Sequence, residues 1–168
     1  MGVTEHKKQL LSVRVRVVTV SDTRTEETDR SGRKIIDLLE EAHHQVVAYD
    51  IVKDDKQAIG DVLKKCCGNP QSEVVLINGG TGLAERDITF EIVQEFIDKP
   101  IPGFGELFRL LSYEEIGSAS MLSRATAGIR GRLAIFSMPG STAAVTLAMT
   151  KLILPELAHI VREMEKRT

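Results

Sequence analysis

Most of what would assign this chain to a special class is missing from it. No apolar run approaches the roughly 20 residues of a membrane span, and Met1 to Gln9 is polar and charged rather than signal-like. No membrane partner is expected, and the cytoplasm is the expected location. Cysteine is limited to the adjacent pair Cys66 and Cys67, which has neither the count of a disulfide framework nor the spacing of a metal cluster. Cys66 continues the apolar face of Ile59, Val62 and Leu63, as a buried thiol would. His43 and His44 have no matching Cys or His cluster. At the end of a helix-like segment they read as a solvated pair suited by the dipole. The basic residues are scattered and the formal net charge is -2, which argues against nucleic acid as a partner. No serine-histidine or cysteine-histidine set is evident for covalent catalysis, and there is no internal repeat or low-complexity segment.

What is present fits one domain. With 168 residues, 42% of them hydrophobic and 27% charged, the chain can build a real core, and residues 1–11 are expected to form a flexible arm. Ser12 to Val20 is strand-like, Ile35, Ile36, Leu38, Leu39 and Ala42 make a helical stripe, and Gln45 to Val52 is strand-like again. A helix carrying Ile59 to Cys66, a strand Val74 to Ile77 and a helix from Ile88 to Ile97 follow. Such alternation predicts an α/β fold of three αβα layers around a mostly parallel sheet. Lys99 to Gly105, with Pro100, Pro102, Gly103 and Gly105, breaks the pattern as a shaped loop before a short helix Glu106 to Leu111. Ser112 and Glu115 have capping-box spacing, which predicts another short helix there. Arg124 to Gly131 and Leu133 to Ser137 read as a hairpin, and Pro139-Gly140-Ser141 opens a helix with Val145, Ala148, Met149 and Leu152. A separate final helix is expected from Ile153 to Met164, with Pro155 near its start. The apolar face of that last helix would allow an interface.

The segment that bears most on function runs from Val74 to Asp87. A β-branched, aliphatic strand stops at Asn78, and Gly79, Gly80 and Gly82 then lift steric limits on the backbone, so that a ligand can approach the main chain. Asp87 is expected where the next helix begins, and free amides there favour a phosphate or carboxylate; the plain alternative is a tight turn with Asp87 as its cap. In parallel α/β sheets ligands collect at the carboxyl ends of the strands. Ser21-Asp22-Thr23-Arg24, Lys53-Asp54-Asp55, the Asn78 to Asp87 loop and Met138-Pro139-Gly140-Ser141 all fall there. Each has a bland alternative: Asp54, with Gln57 three residues on, and Ser141 could both be helix caps. Two carboxylates beside a phosphate loop would repel the ligand unless a cation intervenes, which points to Mg²⁺. Arg24, Lys53, Arg86 and Arg124 are the candidate counter-charges.

Five motifs occur in one order: Gly79-Gly80-Thr81-Gly82, Arg86-Asp87-Ile88-Thr89, Pro102-Gly103-Phe104-Gly105-Glu106, Leu122-Ser123-Arg124-Ala125 and Met138-Pro139-Gly140-Ser141. In them the chain resembles the molybdopterin-binding domain of molybdenum cofactor biosynthesis proteins of the MoaB and Mog type, over nearly its whole length. Ser141-Thr142-Ala143 carries no lysine, which the Mog branch can place nearby, so the chain is more similar to the MoaB branch. The resemblance implies a Mg²⁺- and ATP-dependent adenylyltransferase that converts molybdopterin to adenylyl-molybdopterin. It implies Asp54 and Asp87 as catalytic organisers of metal and nucleotide. Gly79, Gly80, Thr81 and Gly82 would cradle phosphate or pterin, with Arg86 beside them. Gly103, Gly105, Glu106, Ser123, Arg124, Pro139, Gly140 and Ser141 would line the pterin side, and Ser21 and Asp22 the nucleotide side. It also implies a homo-oligomer, a trimer or a hexamer built from trimers, and leaves contact with other proteins of the pathway open. The competing expectations are a non-catalytic molybdopterin-binding or scaffolding protein, and an unrelated nucleotide-binding regulatory domain, which would not explain the Pro102 and Ser123 motifs.

Overall fold

The runs rich in valine and isoleucine lie side by side in the middle of a sheet. The computed structural model describes residues 11–166, so the flexible arm expected over residues 1–11 falls, apart from Leu11, outside the described residues. β1 (Arg14–Val20) and β3 (Val74–Asn78) are central, flanked by β2 (Gln45–Val52) and β6 (Leu133–Met138), and all four are parallel. β5 (Thr126–Arg130) runs antiparallel to β6 and to a two-residue strand β4 (Lys99–Pro100), giving the order β2-β1-β3-β6-β5-β4. The sheet is mostly parallel, as expected. β4 is an addition to the sequence reading; its proline, which has no amide to donate, is tolerated because the strand is an edge.

Alternate strand residues feed two cores. On one face Val15, Val17, Leu76 and Phe136 pack with α1 (Arg30–Glu41), α4 (Pro102–Ile116), α5 (Thr142–Ala148) and α6 (Leu154–Glu165). On the other, Val18, Val75, Ile77 and Ile135 pack with α2 (Lys56–Cys67) and α3 (Thr89–Phe96). These are the three layers predicted.

Three expectations for the helices are corrected. The capping box at Ser112 does not operate, because α4 runs unbroken from Pro102 to Ile116. Phe104, Phe108 and Ser112 recur every four residues on its buried face, and that packing overrides the local start signal. Gly103 and Gly105 therefore lie inside a helix. A Cβ at Gly105 would stand 2.6 Å from the carbonyl oxygen of Ala125. The two C-terminal helices are one, because α5 passes into α6 through a π turn at Met149–Ile153. Pro155 has no amide for the preceding turn, and the widened turn absorbs the mismatch. The joined helix, Thr142–Glu165, is long and apolar enough to cross a membrane by length and composition, but Val145, Met149, Ile153, Leu157 and Val161 are core. The apolar face expected to offer an interface is thus already buried. Exposed large apolar side chains gather instead on α4, at Leu107, Leu110, Tyr113 and Ile116, and at Met121 and Leu122 after it.

One of the two histidines is corrected as well. His43 is exposed as expected, but His44 is half-buried: its Nδ1 accepts the amide of Val13 at 3.1 Å, and burial, then neighbouring His43, lowers its pKa. Cys66 is buried and Cys67 exposed, both as free thiols, and burial pushes the Cys66 thiol up to about 11.

Phe136 lies 5.1 Å from Phe104, ring centre to ring centre, in an edge contact at the centre of the larger core. Phe136→Ala should cost about 3–5 kcal/mol, read as a lower urea midpoint with an unchanged denaturant slope.

Candidate functional site

The chain passes from β1 to β2 on one side and then returns to place β3 on the other side of β1. Such a switch opens a crevice at the carboxyl ends of the two central strands. Gly79 seals its floor with φ +101°, and a Cβ there would meet the carbonyl oxygen of Val20 at 2.3 Å. Its amide donates to the carbonyl of Met138 at 3.0 Å, so the ends of β1, β3 and β6 are drawn to one point. Gly80, at φ +67°, has equally little room: a Cβ would stand 2.1 Å from Thr89 Oγ1 and 3.4 Å from Asp54 Oδ1.

Around these glycines a cleft of ≈ 370 Å³ brings together Ser21, Asp22, Asp54, Arg86, Asp87 and Gly140 from four loops. Asp55, not Asp54, caps α2, accepting the amide of Ala58 at 3.1 Å. Asp54 is thereby free to face the cleft, and its cap alternative is eliminated. Asp87 does not start a helix either. α3 begins at Thr89, and Asp87 closes the turn before it, its amide donating to Ala84 O and its Oδ2 accepting the amide of Ala84 at 3.2 Å. Asp22 accepts the Asp54 amide at 3.0 Å and pairs with Arg86, contacts that hold its carboxyl below the usual range. Asp54 is shifted the other way. Burial first, and then the charges of Asp87 and Asp22, raise its pKa.

A second cleft, of ≈ 450 Å³, is lined by Gly105, Glu106, Ser123 and Arg124, joined by Phe90 and Arg109. Arg124 ties the two together. It lies over the Phe90 ring at 5.3 Å, donates to Asp87 O at 2.6 Å and Thr81 O at 3.4 Å, and pairs with Glu91.

Not every expected residue lines a cleft. Thr81 is buried and contributes its carbonyl to Arg124, and Gly82 leaves room for the Asp87 carboxylate, 2.6 Å from where a Cβ would be. Gly103 and Pro139 line neither cleft. Ser141 lines neither as well; its hydroxyl caps α5 by accepting the amide of Ala144 at 3.1 Å, so here the bland alternative holds. Arg109 and Phe90 carry no signal in the sequence, and Thr89 is present there only as the end of the Arg86 to Thr89 motif. Arg109 lies one turn beyond Gly105 and donates to Ala125 O at 3.1 Å and Ser123 O at 3.3 Å, fixing the Ser123 loop.

Whether Mg²⁺ suits this chain is tested by Asp54 Oδ1 and Thr89 Oγ1, two buried oxygens that both border Gly80 and have no hydrogen-bond partner. Oxygen ligands and surplus negative charge suit a hard cation. No group of three His, Cys, Asp or Glu side chains among the described residues could hold a metal by itself, so an ion placed here would need water or ligand oxygens to complete its coordination.

Residues 16–159 match the family described as "Probable molybdopterin binding domain". The chain is 55% identical to molybdenum cofactor biosynthesis protein B of Bacillus subtilis (strain 168), over 99% of each chain. A crystal structure of a molybdenum cofactor biosynthesis protein B superposes with a TM-score of 0.92 at 54% identity, covering 95% of this chain and 100% of that one. The tungsten cofactor synthesizing protein MoaB from Pyrococcus furiosus gives a TM-score of 0.79 at 38% identity, covering 92% of this chain and 98% of that one.

A carboxyl whose pKa is raised by folding weakens the fold as pH climbs through that value, because the native state must then give up a proton it holds better than the unfolded chain does. Asp54→Asn, free of this penalty, should raise Tm of the ligand-free protein at pH 7. The gain should vanish near pH 3, where Asp54 is protonated in both states; thermal melts across that range check it.

Proposed function

The chain belongs to the molybdopterin-binding-domain family of molybdenum cofactor biosynthesis proteins, and from that premise we propose that it acts in the cytoplasm as a molybdopterin adenylyltransferase. The observation that carries this reading is the pair of clefts joined through Arg124, one rich in carboxylates and glycine, the other lined by an aromatic ring and arginines. The first suits a nucleotide polyphosphate with its cation, and the second a pterin. No nucleophilic side chain is required. An oxygen of the pterin's terminal phosphate forms a bond to the α-phosphorus of ATP, the bond from that phosphorus to the bridging oxygen breaks, and pyrophosphate leaves with the electron pair.

The protein's task is then positioning and charge. Gly79 and Gly80 let phosphate approach the backbone. Arg124 sets the loop that carries Asp87 and, through its ring contact, the wall of the pterin cleft. Asp54 and Asp87, with Thr89 nearby, are the residues that would hold Mg²⁺, which when bound neutralises phosphate charge.

The same premise leads to a homo-oligomer, a trimer or a hexamer built from two trimers. The exposed α4 face supports it, since Leu110, Tyr113 and Ile116 recur at helical spacing and all three stay exposed.

Protein supplied with molybdopterin, ATP and Mg²⁺ should release pyrophosphate, and Asp87→Asn should lower that rate by about 100-fold or more while pterin binding by titration is retained. Pterin binding without pyrophosphate release in the unsubstituted protein would favour the non-catalytic alternative. Light scattering after size exclusion should give a trimer or hexamer mass, and Leu110→Glu should shift it to the monomer.

A further inference from the structure

Arg24 links the loops after β1 and β6. Its Nη2 donates to the carbonyl of Gly140 at 3.0 Å, and its Nη1 donates to Ser31 Oγ at 2.6 Å and, more distantly, to Asp29 Oδ1 at 3.5 Å. The turn that presents it is shaped by Ser21, whose hydroxyl accepts the amides of Thr23 and Arg24 at 3.2 and 3.1 Å. Nε and the remaining Nη2 hydrogen have no protein acceptor among the described residues, and the guanidinium lines the carboxylate cleft.

Behind Arg24 stands a cluster with no contact to that cleft. Asp29, 1% exposed, accepts from Thr19 Oγ1 at 2.6 Å, from the Tyr49 hydroxyl, from the Gly32 amide at 3.1 Å and from Ser31 Oγ at 3.2 Å. Ser31 Oγ also lies 3.0 Å from Asn78 Oδ1, and Asn78 Nδ2 donates to Thr19 Oγ1 at 2.9 Å, which closes a ring of polar contacts under the floor of the cleft. Burial pushes the Asp29 carboxyl up, but the donors around it outweigh this and hold it ionised below its ordinary range. The carboxylate is therefore satisfied without Arg24, and its longest contact is the one to that residue. An arginine placed only to neutralise Asp29 would sit closer and bury itself. This one is 34% exposed and belongs to the lining of the cleft.

The charges in the cleft give those donors a use. Its cations are Arg24 and Arg86, and Arg86, 66% exposed, is taken by Asp22. We propose that Arg24 binds a phosphate group of the cleft's ligand, and that Asp29, Tyr49 and Ser31 are positioning residues that fix the back of its guanidinium so that the front is offered in one orientation. The inference rests on the reading that this cleft takes a polyphosphate. A planar fork held on one edge can present its other edge in bidentate fashion, which a lysine cannot.

The test is titration of the full chain with inorganic pyrophosphate and Mg²⁺. Arg24→Met should weaken binding about tenfold or more, and Arg24→Lys should restore only part of it. Tyr49→Phe should weaken binding several-fold on its own and have no further effect when combined with Arg24→Met, because its effect acts through Arg24. A residue that only supports the fold would lower affinity equally in both backgrounds. Unchanged affinity in Arg24→Met, additive losses in the double variant, or no pyrophosphate binding by the unsubstituted chain would each overturn the proposal. Pyrophosphate binding that depends on Arg24, in a protein that forms no adenylyl-molybdopterin, would uphold it and reject adenylylation alone.

Discussion

Three strand ends converge on Gly79 at a separation that excludes a side chain, and the site follows from this contact. With φ +101° and the Val20 carbonyl 2.3 Å from where a Cβ would stand, only glycine fits. Gly140 presses from the third side, its own Cβ position 3.2 Å from the α-carbon of Gly79. A side chain at Gly79 would push the end of β3 away from β1 and from the Met138 carbonyl that takes its amide. The crevice is thus a property of close backbone packing. What lines it is whatever the four loops carry.

Those loops carry conflicting charge. Asp22, Asp54 and Asp87 share one cleft, and the fold relieves the conflict unevenly. Asp22 has Arg86 and the Asp54 amide; Asp87 has the Ala84 amide; Asp54 has a buried oxygen with no partner and neighbours of its own sign. A buried polar oxygen without a partner is costly in proportion to its desolvation; Ser72 and Ser137 also bury such an atom away from the clefts, but neither carries a charge as Asp54 does. The buried ring around Asp29 shows the opposite treatment, with donors outnumbering what the charge requires.

The sequence made the architecture legible because its signals were long. Buried strands rich in valine and isoleucine alternating with 3.6-period stripes leave few alternatives to a parallel three-layer fold. Signals of three or four residues failed where two readings share one spacing. Asp54 and Asp55 both stand where a cap could be, and only the folded backbone shows that Asp55 takes the Ala58 amide and releases Asp54. The same pattern at Ser141 did mean a cap. Ser112 met the capping-box rule and lost to Phe104 and Phe108, whose repeat carried the helix through it. Arg109 left no trace at the sequence level, and Thr89 stood in its motif without a role, because their roles depend on the carbonyl of Ala125 and on the flank of Gly80, contacts between segments remote in sequence or set by an unusual loop.

A site of this kind divides its residues into two classes with different demands on the fold. Arg24, Arg109 and Arg124 are long, flexible side chains, and each is held by backbone carbonyls or a buried hydroxyl, so their rotamer entropy is spent during folding rather than on meeting a ligand. Asp54 and Thr89 are short, need no such restraint, and are left with unmet oxygens instead. The first class adds order to the fold, and the second subtracts stability from it. Both make the binding of a charged ligand more favourable, the one by lowering the ordering cost and the other by raising the free energy of the empty cleft. The proposed phosphate chemistry without a side-chain nucleophile would require that combination, since rate would then depend on geometry and charge in place before the ligand arrives.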